Sequence, residues 1–285
     1  PLGGPVALRV VGEAAAVEDA WARRVADEAW AQMLRTNPRA HDGALLTLDG
    51  LEWSDGGGVT LRARRDAYRF FAVDDVVRAA RGHAPATATP GVRETPVTCV
   101  GVSGVIVARA GAAAAAADEP ATRAQPRVLM GRRGEGTRIY GGQWETAPRG
   151  TVSPPPVETQ HAADGVTSTF GADALERQLL EELIEETALP LGPAVGLRPV
   201  ALVHDALARS VDVVYLIEAR DDAGAGSAEW RAMLDDAASA TGWEYPALRW
   251  RTWGFWRPDG ETMPLSPPTA AFFGAADAWG LVGAD

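Results

Sequence analysis

No lysine occurs among the 285 residues, and there is a single cysteine, Cys99. One thiol can neither close an intramolecular disulfide nor build a multi-thiolate metal site, so zinc-finger classes are excluded and a reducing compartment fits. No run approaches the roughly 18 apolar residues of a membrane span, and the start shows no basic region followed by an apolar stretch and a cleavage site. The chain therefore reads as cytoplasmic, with no membrane partner. Positive charge is scarce too: 27 basic residues, all arginine, stand against 38 acidic ones, for a formal net charge of -11. Nucleic acid is disfavoured as a partner, because its binding rests on clustered positive charge. A small anionic ligand accompanied by a cation stays open. The 46% hydrophobic and 23% charged fractions are those of a globular chain, which excludes wholesale disorder and a coiled coil.

Periodicity gives a coarse order of elements. Val6 to Val11 alternates as a strand does, and Val17, Trp21, Val25, Ala29, Trp30 and Met33 recur at helical spacing over Ala16 to Leu34. Ala44 to Leu51 and Val59 to Arg64, joined by Ser54-Asp55-Gly56-Gly57-Gly58, read as a hairpin. Asp74 can cap a short helix ending near Gly82, and the proline- and glycine-bearing stretch His83 to Thr95 suggests a boundary, giving an N-terminal α/β extension over 1–90 and a second domain over 91–285. Strands are expected over Thr98 to Ala108, Arg127 to Gly131, Arg198 to His204, Val211 to Glu218 and Ala247 to Phe255. An alanine-rich loop spans Gly111 to Pro126, and helices are expected near Ala228 to Ser239 and after Ser266-Pro267-Pro268. Strands and helices mix without steady alternation, so the expected class is α+β, a mixed sheet between helices.

The most informative element is the helix from Asp173, a credible cap, to Leu189. Leu175, Leu179 and Leu183 form its apolar stripe, widened by Leu180 and Ile184. Glutamates at 181, 182, 185 and 186 place like charges at i, i+4, and each such pair destabilises a helix by roughly 0.2–0.5 kcal/mol unless neutralised. Glu182, Glu185 and Glu186 share one face, and carboxylate oxygens are the hard ligands that Mg²⁺ or Mn²⁺ takes. From the helix alone, a solvated acidic face, the usual explanation of a charge run, is the favoured reading.

Glu182-Leu183-Ile184-Glu185-Glu186-Thr187-Ala188-Leu189 resembles the end of the Nudix box, G-x5-E-x7-R-E-U-x-E-E-x-G-U, where U is a bulky apolar residue. Pro148-Arg149-Gly150-Thr151-Val152 resembles the loop that opens the box, and a strand pair ending in Trp144-Glu145 before it is what the resemblance implies. Glu181 stands at the arginine position, Ala188 at the late glycine and Asp173 at the first glutamate. Gly150 and Glu182 lie 32 positions apart against 15 in the pattern, an insertion of about 17 residues. Arg177, one turn before Glu181, is a candidate to supply the displaced cation. Over most of the chain the sequence also resembles an atypical branch of the superfamily, the UDP-glucose and UDP-galactose pyrophosphatase type. That likeness is carried by Trp30, Asn37-Pro38, His41-Asp42-Gly43, Leu61, Tyr68 and Asp212-Val213-Val214-Tyr215.

The resemblance implies a Nudix fold and hydrolysis of a nucleoside diphosphate-linked compound, a UDP-sugar first among them, with a small-molecule diphosphate as partner and a homodimer as one assembly. Glu182, Glu185, Glu186 and the Gly150 carbonyl would hold Mg²⁺ or Mn²⁺. Glu185 and Glu244 compete as proton acceptor, alongside Glu182 in catalysis. Arg132, Arg138 and Arg149, with neighbouring Arg133, suit bidentate phosphate contact, and Tyr140 and Trp144 could stack on a base or pack in the core. Asp212 is either a ligand contact or the partner of Arg209, and His204 and Asp205 receive no role. Two rivals stand beside this reading: a Nudix hydrolase of another diphosphate, such as ADP-ribose or a prenyl or specialised-metabolite diphosphate, and a non-catalytic nucleotide-binding Nudix domain.

Overall fold

A computed structural model of the chain describes residues 2–13, 20–38, 40–82, 97–108, 126–154, 168–170, 172–187, 195–219, 244–255 and 263–279. Their elements are, in chain order, β1 (Val6–Glu13), α1 (Ala20–Thr36), β2 (Ala44–Trp53), β3 (Val59–Ala67), α2 (Tyr68–Ala72), α3 (Asp74–Gly82), β4 (Cys99–Ala108), β5 (Arg127–Arg132), β6 (Trp144–Thr146), β7 (Arg149–Thr151), β8 (Ser168–Phe170), α4 (Ala172–Thr187), β9 (Val195–Asp205), β10 (Ser210–Ala219), β11 (Ala247–Thr252) and α5 (Pro267–Trp279). The fold is α+β. Among the described residues eleven strands join in one mixed sheet whose main path runs β11-β5-β4-β2-β3-β1-β8; β10 pairs with β4 and β9, β6 with β5, and β7 with β4.

β4 is the hub, buried along nearly its whole length, as a run dominated by Val, Ile and Gly and free of charged residues requires of a strand covered on both faces. The two-residue period of the strands sorts their side chains into two cores. Val100, Val102 and Ile106 of β4 and Val213, Tyr215 and Ile217 of β10 face one side, where Leu175, Leu179 and Leu183 of α4 meet them. Val105, Val107, Val214 and Leu216 face the other, against Phe272, Phe273 and Ala276 of α5. The first core also takes in Val6, Leu8 and Val10 of β1 and Val59, Leu61 and Ala63 of β3. The N-terminal strands therefore close over the free side of α4.

Most sequence expectations find an element in the structure. The hairpin is β2–β3, with Thr47 opposite Arg64 and Trp53 opposite Val59. Asp173 stands inside the first turn of α4, which begins at Ala172, so it faces the helix N-terminus from within the turn. The last expected strand ends at Thr252, short of Phe255. The helix expected at 228–239, residues 111–125 of the alanine-rich loop and the first turn of the opening helix lie outside the described residues. β6 holds the strand end expected at Trp144-Glu145, whereas β7, β8 and α2 have no counterpart in the sequence expectations.

Candidate functional site

The leucine stripe fixes how α4 is turned. With Leu175, Leu179 and Leu183 fully buried, Glu182 and Glu186 flank the stripe: Glu182 is half-buried, Glu186 is 8% exposed, and Glu181 and Glu185 lie on the exposed side. β7 pairs with β4 through Gly101, Val102 and Ser103, which brings the Pro148-Arg149-Gly150 loop against this face. At Gly150 a Cβ would fall on the Glu182 carboxyl group, so only glycine permits this approach. The Arg149 backbone N–H donates to Glu186 Oε2 at 2.9 Å. Glu186 Oε1, buried, has no hydrogen-bond partner among the described residues. Gln178 Nε2 donates to Glu182 Oε1 at 2.9 Å.

Behind this layer lies a buried charge network. Arg149 donates through Nε to Asp212 (2.7 Å), through Nη1 to Glu145 (3.4 Å), and through Nη2 to Asp205 (3.1 Å) and Ser210 Oγ (3.3 Å). Arg133 Nη1 donates to Glu145 Oε1 at 2.6 Å and Nη2 to Glu244 Oε1 at 3.4 Å, while the Tyr245 hydroxyl reaches Glu145 Oε1 at 2.7 Å. Glu145 is fully buried. Removing one partner of such a buried pair leaves an uncompensated charge and costs about 3–5 kcal/mol.

Protonation follows burial. Desolvation pushes the Glu182 carboxyl up to about 7, against the Gln178 hydrogen bond and with added repulsion from Glu185 and Glu244. Desolvation, then repulsion from Glu244, raises Glu186 well above the carboxylate range, although the Arg149 N–H opposes it. Glu244 is raised by burial and by Glu145 and Glu185, against the pull of Arg133. Asp205 goes the other way: burial opposes its charge, yet the Ala208 N–H, the Tyr140 hydroxyl and Arg149 outweigh it. Cys99, at the same cavity, is a thiol pushed up to about 12 by burial and by Asp212, which leaves it inert as a nucleophile.

A cavity of about 340 Å³ opens over Glu182, Gly150 and Glu244, with Arg133, Arg138 and Phe71 on its walls. A second, of about 790 Å³, shares Tyr68, Arg133, Arg138 and Glu244 with the first and runs to Asn37 and His41 of the N-terminal segment. Of the residues singled out from sequence, Glu182, Glu244, Gly150, Arg138 and Arg149 come together here. Glu186 joins through the Arg149 N–H, and Glu185 stays on the exposed side of α4. Arg132 and Tyr140 line neither cavity. Arg132, the last residue of β5, binds the Gly142 carbonyl (3.0 Å) and Glu135 (2.8 Å), and the Tyr140 hydroxyl is taken by Asp205 at 2.7 Å. Trp144 is buried in the second core. Asp212 is the partner of Arg149 and Ser103, whereas Arg209 pairs with Asp74 at 2.9 Å. Sequence reasoning passed over Glu145, Asp205 and Gln178. None of the three carried a signal in the sequence: Glu145 stands out only once the strand Trp144–Thr146 is seen to be buried.

Among the described residues no three His, Cys, Asp or Glu side chains are grouped so as to hold a metal ion by themselves. An open site fits Mg²⁺, which takes one or two carboxylates and leaves its other positions to water and substrate phosphate. The donor set suits such a hard cation, and the partnerless, buried Glu186 Oε1 beside Glu182 is a position one would fill.

No protein-family model matches the chain, and no curated protein sequence does. Solved structures do resemble it. The MutT protein from Methanosarcina mazei Go1 is 16% identical over 66% of this chain and 97% of that chain, with a TM-score of 0.39. The NUDIX domain of Shewanella oneidensis NrtR, complexed with ADP ribose, is 16% identical over 68% and 94%, with a TM-score of 0.38. A NUDIX hydrolase from Alicyclobacillus acidocaldarius is 16% identical over 65% and 93%, also at 0.38. At these values function has to be read from the side chains of the site.

Proposed function

We propose that this chain is a Nudix-type hydrolase that cleaves the diphosphate bond of a nucleoside diphosphate-linked compound, with UDP-sugars as the first substrates to try. The observation that carries the reading is the buried, partnerless Glu186 Oε1, whose charge is coupled to Glu182 and Glu244, the two carboxyl groups that line a cavity walled by arginines. Three carboxyl groups raised by burial and by neighbouring like charges are a costly arrangement for a merely structural face, and a divalent cation would relieve it.

Glu182, Glu186 and the Gly150 carbonyl, with Glu185 from the outer side of α4, are the residues that would hold Mg²⁺ or Mn²⁺. Bound there, the ion supplies charge neutralisation at the diphosphate oxygens and Lewis acidity toward water. Arg138, at the junction of the two cavities, and Arg133 supply positive charge to the phosphates from the opposite wall. Glu244 is better placed than Glu185 to take the proton of the attacking water: it lines both cavities, Arg133 orients it, and its raised pKa moves it toward the range in which a base works well.

The test is metal-dependent release of nucleoside monophosphate from a panel of UDP-sugars, ADP-ribose, CoA and dinucleotides, with wild type and Glu186→Gln. Activity on UDP-sugars that falls at least about 100-fold in the variant is the expected result. Turnover of another member alone moves the substrate while keeping the chemistry, and metal binding without turnover of any member favours the non-catalytic binder.

A further inference from the structure

We infer that Arg149 is the positioning residue of the metal site and does not bind substrate phosphate; this rests on the reading that the α4 glutamates hold a divalent cation. All three guanidinium nitrogens are engaged, by carboxylates on three different strands, β6, β9 and β10: Nε with Asp212, Nη1 with Glu145, Nη2 with Asp205 and Ser210. Three carboxylates around one guanidinium leave a local charge that repels an incoming diphosphate. Burial opposes the charge on Arg149, but Asp212, Glu145 and Asp205 hold it protonated.

The same residue controls both inner glutamates through its main chain. Its N–H fixes Glu186 Oε2 at 2.9 Å, which leaves Oε1 as the open oxygen. The next residue, Gly150, packs its Cα against the Glu182 carboxyl group. Pinning the side chain at four points therefore sets the rotamers of Glu182 and Glu186 through the two peptide units that flank the Arg149 Cα. Arg177 of α4, the cation singled out from sequence, lies on the exposed side of the helix.

The experiment is Mn²⁺ binding to the full chain, followed by electron paramagnetic resonance and calorimetry, in wild type, Arg149→Lys, Asp212→Asn and Phe273→Leu. Phe273 is fully buried in the second core, so its variant loses stability without touching the site. Lysine keeps the charge but not the fork. Removing support behind a metal ligand typically weakens binding about 10–100-fold. Arg149→Lys is expected in that range, Asp212→Asn at about threefold or more, and Phe273→Leu within about twofold of wild type at a comparable loss of Tm. Should Arg149→Lys fail to fold, Asp212→Asn carries the test. Unchanged Mn²⁺ affinity in the site variants, or an equal loss in Phe273→Leu, overturns the positioning role while leaving the metal site standing. A wild-type chain that binds no Mn²⁺ overturns both.

Discussion

Glu182 carries a conflict that can be measured. Its carboxyl group ionises near 4.5 in an unfolded chain and at about 7 in the fold. The folded state thus keeps a proton that the unfolded state has lost, and stability falls as pH rises between those values. Burial and like charges raise Glu186 and Glu244 as well, so their contributions have the same sign. In EDTA, the Tm of the protein is expected to fall as pH is raised from about 4.5 to about 7, the fall shrinking in Glu182→Gln and on adding Mn²⁺. A Tm that rises over that window in the metal-free protein would contradict the burial of these carboxylates. The positions of Glu182, Glu185 and Glu186 were legible because a helix repeats locally. What fixes them was not: the Arg133–Glu145–Tyr245 and Arg149–Asp205–Asp212 contacts join residues up to 100 positions apart, and a single sequence carries no pairing signal over such distances.

At the scale of elements, α4 is held by its stripe. Leu175, Leu179 and Leu183 are fully buried, packed on one side by β4 and β7 and on the other by β1. A cavity left by Leu179→Ala has no solvent-facing side into which to collapse, so a loss of about 2–5 kcal/mol is expected in urea unfolding. Ile184→Ala, at a residue 55% exposed, should stay within about 0.5 kcal/mol. Equal losses would mean that α4 is turned differently and that Glu182 does not face the cavity. The four-residue spacing of the leucines made this helix readable. β7 and β8 were not, since three residues are too few to establish alternation, and the loop geometry that brings Gly150 onto Glu182 depends on β7.

For the whole molecule, the composition break at 83–95 suggests a separable extension, yet hydrogen bonds tie the first part of the chain to the rest. Leu46 N–H reaches the Val152 carbonyl at 3.2 Å, Leu48 N–H the Thr98 carbonyl at 2.7 Å, and Leu2 N–H the Val200 carbonyl at 3.0 Å. Arg209, buried and held at φ 54°, bonds Asp74 at 2.9 Å and the Phe71 carbonyl at 2.7 Å, which fastens α2 and α3 to the turn between β9 and β10. Cutting the chain before residue 91 would strip β1 and β3 from α4 and expose the Leu175, Leu179 and Leu183 stripe, apolar surface worth about 25 cal/mol per Å². A 91–285 fragment is therefore expected to aggregate or to lack near-UV circular dichroism, while the full chain unfolds in one cooperative transition. A soluble fragment with native-like circular dichroism and wild-type Mn²⁺ affinity would show instead that the boundary at 90 is real, and that β1 and β3 cover a core already closed without them.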